Sequence, residues 1–141
     1  MVELKQFRSR KEWLEARKSG IGGSDAAAIV GVDPFKSALE VYCDKIGIAE
    51  PQEDNDAMKW GRKLEPLVAE AYQEETGREL KDFGINIWQG SEPWLIASQD
   101  RGIVTPKQGH LEIKTSNYIK ESDLAEEIPI PWQVQYQHSL A

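Results

Sequence analysis

A change of pattern at Gly77 constrains this chain more than any other feature. Upstream, Met58, Trp60, Leu64, Leu67, Val68, Ala71 and Tyr72 recur at helical spacing. They predict a helix over about 56–76, with Gly77 as its C-terminal stop and Glu65 beside the apolar face. Downstream, residues 79–88, 94–98 and 111–115 read as strands, with turns at Gly90 and around Pro106–Gly109. Helices followed by a short antiparallel run and a final helix indicate an α+β fold, an α/β sandwich.

The flanks add helices. Ser9-x-x-Glu12 and Ser37-x-x-Glu40 are capping-box patterns. The first opens a short helix carrying Trp13, Leu14 and Arg17. The second opens one that ends at Gly47. Between them Gly20-Ile-Gly-Gly23 breaks the chain, and Ser24 or Asp25 can cap a helix running to Gly31. Tyr118–Glu127 is weakly helical, and Pro129 and Pro131 introduce a helix from near Trp132. That helix has no stop signal before Ala141, and three strands leave a sheet edge open. The expectation is a single domain over 1–141, incomplete at its C-terminus. Trp13, Trp60 and Trp132 fall on apolar faces and are expected in the core.

Composition narrows the function. The 141 residues carry a net charge of −7, which argues against a general nucleic-acid binder but leaves room for an enzyme whose carboxylates hold cations. Arg8, Arg10, Lys11, Arg17 and Lys18 form a local basic cluster, read first as a solvated helix face. The lone Cys43 excludes an intramolecular disulfide and reads as a buried thiol in a reducing compartment. No apolar run approaches the roughly 18 residues of a membrane helix. These features lead to the expectation of a cytoplasmic protein.

The main chemical clue lies at 98–115. Asp100 ends one apolar run, and Glu112-Ile-Lys114 sits on the next. Residues two apart on a strand share a face, so Glu112 and Lys114 project together. Asp100, Glu112 and the backbone carbonyl of Ile113 are the oxygen donors that Mg²⁺ takes alongside waters and phosphate, and Glu65 could add another. Such a cation acidifies water and offsets charge on a phosphate. Lys114 would orient or deprotonate the nucleophile, or neutralise the transition state. An acid-x-Lys triplet is weak by itself. With 24 acids and 11 lysines chance gives roughly two, and the chain has three, at Glu3, Glu79 and Glu112. On spacing alone an exposed cross-strand salt bridge is the better reading.

Ordered blocks change that balance. Trp13-Leu-Glu-Ala-Arg17, Gly20-Ile-Gly-Gly-Ser-Asp25 with Ala28-Ile-Val-Gly31, Trp60-Gly-Arg-Lys-Leu-Glu65-Pro, Ala97-Ser-Gln-Asp100-Arg, Leu111-Glu-Ile-Lys-Thr115 and Trp132-Gln-Val-Gln-Tyr-Gln-His138 follow one another along the chain. Together they resemble the YqaJ-like, lambda-exonuclease-type phage recombination nucleases of the PD-(D/E)XK superfamily. The resemblance implies a restriction-endonuclease-like core, with a small mixed sheet flanked by helices. It implies Asp100, Glu112 and Glu65 at a metal site, Lys114 as catalytic lysine and Gln133 lining the site from the last helix. Arg17 and Ser24 match positions that bind a terminal 5′-phosphate, and an arginine plus a hydroxyl near a helix N-terminus suits that task. Arg101 departs from the glycine that many members carry after the aspartate.

The implied activity is Mg²⁺-dependent hydrolysis of DNA, with Mn²⁺ as a substitute, in the 5′→3′ direction from double-stranded ends during recombination. The implied partners are DNA, a single-strand annealing protein and further copies of the chain. Two alternatives stand beside it: a binding remnant that does not cut, and an endonuclease of the same superfamily.

Overall fold

The computed structural model describes residues 3–141. The elements run β1 (Glu3–Gln6), α1 (Arg10–Ala16), a 3-10 turn at Arg17–Ser19, α2 (Gly23–Ile29), α3 (Ala38–Lys45), α4 (Asp56–Thr76), β2 (Glu79–Lys81), β3 (Asn86–Gln89), β4 (Ile96–Ala97), β5 (Arg101–Thr105), β6 (Gly109–Leu111), α5 (Glu121–Glu126) and α6 (Ile130–Leu140). The strands form two antiparallel three-stranded sheets, ordered β1-β3-β4 and β2-β5-β6, in place of the single run read from the sequence. Glu3, on β1, pairs with Gln89 on β3.

Local signals acted where they were read. Ser9 accepts the Glu12 amide at 3.2 Å, and Glu12 reaches back to the Arg8 amide. Ser37 and Glu40 exchange both bonds of a capping box. Gly77 adopts φ 66, a left-handed stop that a side chain would resist. One expected cap moved. Gly22 is the N-cap of α2, and Asp25 closes it by accepting the Gly22 amide at 3.0 Å. Ser24 is the second residue of the helix, and its hydroxyl accepts a hydrogen bond from Arg17.

The apolar stripe of α4 is the largest departure. Only Ala69 is buried on this helix, while Trp60 and Leu67 are 59% and 60% exposed. Helical periodicity marks a face that can be buried, and here the described residues cover it only in part, at Met58 and Tyr72. The core instead gathers Ala27, Ala28, Val41, Ile87, Leu95, Ile96 and Ala97, between α2, α3 and the first sheet. Cys43 is half-buried. Among the described residues no helix is long and apolar enough to cross a membrane.

The contact that positions the site is α2 against α6. A Cβ on Gly23 would lie 2.9 Å from Gln135 Cγ and 3.0 Å from Ser139 Oγ, so only glycine permits this approach. His138 Nε2 sits 2.9 Å from the Ile21 carbonyl and 3.1 Å from that of Ile96, tying α6 to the parallel bridge between Ile21 and Leu95.

Candidate active site

The β5–β6 ladder ends where Arg101 faces Leu111. Beyond it, Asp100 Oδ2 accepts the Ile113 amide at 2.7 Å, so a carboxylate replaces the missing strand partner. Asp100 lies on the turn before β5, and Glu112 and Lys114 lie just past β6, rather than inside the strands read from the sequence. They converge all the same. Lys114 Nζ is 2.7 Å from Glu112 Oε1 and donates to Gln135 Oε1 at 2.9 Å, while Gln135 Nε2 donates to Glu112.

Gln135, not Gln133, is the glutamine that the structure brings here. Gln133 is exposed and donates to the Ile128 carbonyl at 2.6 Å. Residues two apart on a helix differ by about 200° in direction, so only one glutamine of a Gln-x-Gln pair can face α2. The spacing of Trp132, Gln135 and Ser139, i, i+3 and i+7, is the signal that could have chosen it.

The carboxylates are electrically unbalanced. Burial, then the neighbouring Glu112 charge, pushes Asp100 up to about 6, against the favourable Ile113 amide. Burial also opposes ionisation of Glu112, but His110 and the Lys114 ammonium outweigh it and bring its pKa below the ordinary value. His110 is buried, with Nε2 3.4 Å from Glu112 Oε2. That distance is long for a hydrogen bond, and neither ring nitrogen has a closer partner. Tyr136 packs against the ring at 5.4 Å and donates to the His110 carbonyl at 3.1 Å. Neither residue was singled out from the sequence.

Glu65 reaches this neighbourhood from α4, but Arg101 Nη1 holds it at 2.7 Å and Arg101 Nη2 lies 3.5 Å from Asp82. Among the described residues no three His, Cys, Asp or Glu side chains form a ready metal cage. The donors that remain, Asp100, Glu112 and the Ile113 carbonyl, are all oxygen. Mg²⁺ or Mn²⁺ accepts a few such ligands and completes its shell with water. A half-buried Asp100 destabilised by a second carboxylate fits a cation.

The N-terminal block has the opposite polarity. Asp25 is 2% exposed and lies 2.7 Å from Lys45, 3.4 Å from Lys36 and 3.7 Å from Arg17. Burial opposes its charge, yet the Lys45 hydrogen bond and the Arg17 and Lys45 charges win and hold its carboxyl below its ordinary value. Lys45 also donates to the Arg17 carbonyl at 2.8 Å. Arg17 lies over the Trp13 ring at 4.7 Å and donates to Ser24 Oγ at 2.7 Å, so the two residues expected at a phosphate end stand together.

Residues 12–141 match the YqaJ-like viral recombinase domain. The chain belongs to the YqaJ-like viral recombinase family. It is 36% identical over 135 residues to the protein YqaJ of Bacillus subtilis (strain 168), a match covering 94% of this chain and 42% of that relative. Two solved structures share the fold. LHK-Exo in complex with dAMP superposes with a TM-score of 0.73 at 24% identity, covering 93% of this chain and 67% of that one. The alkaline exonuclease LHK-Exo from Laribacter hongkongensis gives 0.72 at 26% identity, with the same coverage. The fold is therefore of the lambda-exonuclease type, within PD-(D/E)XK architecture.

Proposed function

We propose that this YqaJ-family domain hydrolyses DNA phosphodiester bonds with a divalent cation, Mg²⁺ or Mn²⁺, as a 5′→3′ exonuclease on double-stranded ends. The observation that carries the reading is the convergence of Asp100, Glu112, Lys114 and Gln135 one helix contact away from Arg17 and Ser24. Asp100, Glu112 and the Ile113 carbonyl would hold the cation, which when bound acidifies water and offsets charge on the phosphate. Lys114, steered by Glu112 and Gln135, orients the nucleophile and stabilises the charge that builds on the scissile phosphate. Glu65 contributes through its field on Asp100, and joins the ligands only if Arg101 releases it. Arg17 and Ser24 receive the 5′-phosphate, a role supported by the excess of cations around Asp25.

The test is incubation of linear 5′-phosphorylated duplex with Mg²⁺. Shortening from the 5′ end is expected, with Lys114→Ala cutting about 10²-fold or more slowly, the scale of a lost proton-handling group. Cleavage of closed circular DNA would replace the exonuclease by an endonuclease. The engagement of Glu65 by Arg101 favours a second reading, a module that binds DNA without cutting. It predicts DNA retention with no hydrolysis and no carboxylate-dependent Mn²⁺ binding. Assembly with further copies or with a single-strand annealing protein belongs to the same proposal, and sedimentation with and without DNA tests it.

A further inference from the structure

Asp100, Glu112 and Glu65 stand within one electrostatic neighbourhood, since the charges of Glu112 and Glu65 both bear on Asp100. Two of the three carboxylates already have a cation. Lys114 Nζ lies 2.7 Å from Glu112, and Arg101 Nη1 lies 2.7 Å from Glu65. Among the described residues no cationic side chain pairs with the Asp100 carboxylate, which takes the Ile113 amide instead. Arg101 is also firmly seated. Its side chain is 11% exposed, and one guanidinium meets three acceptors. Nη1 donates to Glu65 and to the Asp100 carbonyl, while Nη2 lies 3.5 Å from Asp82 Oδ2. A guanidinium keeps its charge at any working pH, and its planar fork gives up little freedom when it is fixed.

We propose that Arg101 stands in for a second divalent ion, so that the site holds one cation, on Asp100, Glu112 and the Ile113 carbonyl, with Glu65 outside its ligands. The inference rests on the nuclease reading for the identity of the cation, and adds to it the number of ions and the residue that sets that number. A paired site needs carboxylates to hold both ions about 4 Å apart. Asp100 could serve two ions only if Glu65 were free to hold the second, and Arg101 occupies Glu65. A second dication there would strip a largely buried guanidinium of its nearest partner and set a like charge beside it, and breaking one side of such a pair is costly. With a single ion, the charge that builds on a scissile phosphate falls to that ion and to Lys114 together.

The test counts Mn²⁺ on the whole chain without DNA, by equilibrium dialysis and by electron paramagnetic resonance. Wild type is expected to bind one ion per chain, with an uncoupled spectrum. Arg101→Met keeps the stem and removes the charge. It should bind two ions, with the spin coupling of centres about 4 Å apart. Adding Glu65→Gln to Arg101→Met should return the count to one. Glu65→Gln alone should also bind one, with affinity changed less than about fivefold, the scale of a part-exposed charge that is not a ligand. Asp100→Asn should weaken binding about a hundredfold or more. No ion or two ions on wild type, or one ion on a folded Arg101→Met, overturns the inference. So does a loss on Glu65→Gln as large as that on Asp100→Asn, a comparison that holds whether or not Arg101→Met folds. Cleavage is scored separately. One ion on wild type and two on Arg101→Met, with no cutting of duplex by either, sinks the nuclease reading and leaves the inference. Cutting by wild type, with the same count on both forms, does the reverse.

Discussion

Asp25 and Asp100 are the same residue type, the first buried and the second half-buried, and their carboxyls are pushed in opposite directions. Asp25 sits among Arg17, Lys36 and Lys45, and ionises more readily than usual. Asp100 sits beside Glu112 and within the field of Glu65, and its pKa rises to about 6. Desolvation penalises charge at both. What differs is the count of opposite charges within reach. One end of the site is thereby made to attract an anion and the other a cation, and under the proposed function a DNA end and its metal ion are those two partners.

Exchanging each carboxylate for its amide breaks or sharpens this contrast. The largest expected effect is on cutting: Asp100→Asn should lower the rate by about 10³-fold through loss of a cation ligand. Its fold should hold. A carboxyl whose folded pKa is raised adds stability below its unfolded value and loses it as pH rises through about 6, so at pH 8 the ionised form is a burden. Chelated Asp100→Asn should melt no lower than wild type, and excess Mg²⁺ should raise the melting temperature of wild type only. A marked drop in its melting temperature would show that Asp100 is structural.

Asp25→Asn should do the opposite to stability. Three cations lose their shared partner, and removing one side of a buried pair costs about 3 kcal/mol. The sign with pH follows: the stabilisation is full above the ordinary value of 3.8 and fades as pH falls through the lowered pKa of the fold. Wild type should therefore lose stability on acidification below about pH 4, and Asp25→Asn should show a flatter profile in denaturant titrations. Next, Gln135→Ala should slow cutting about tenfold and Gln133→Ala should not, since only Gln135 touches Glu112 and Lys114. Equal rates for the two variants would return the role to both or neither. The smallest effect belongs to α4: Leu67→Ser should shift unfolding by less than about 0.5 kcal/mol, because the side chain is already exposed.

What the sequence made legible was local. Ser9, Ser37 and Gly77 mark helix ends through bonds made within four residues, and α4 runs over the residues that its periodicity gave. The strand β1 was missed because its partner β3 lies some eighty residues away, and nothing in Glu3–Gln6 records that pairing. The strand β5 was blurred by Gly102 at its second position and Pro106 just past its end. At the site, residue types and block order pointed to Asp100, Glu112 and Lys114, and to Arg17 with Ser24, which the structure does bring together. Which glutamine faces inward depends on how α6 is rotated against α2, and that is a property of packing. The same holds for Asp25 and its three cations, which come from α3 and from loops on either side of α2.

The absent side chain at Gly23 has a mechanical meaning. With backbone laid directly on α6, the shelf that carries Ser24 and the arm that carries Gln135 move as one piece. The span between them is then a gauge rather than an adjustable gap. Under the proposed function, the size of each bite is set by the thickness of two touching helices.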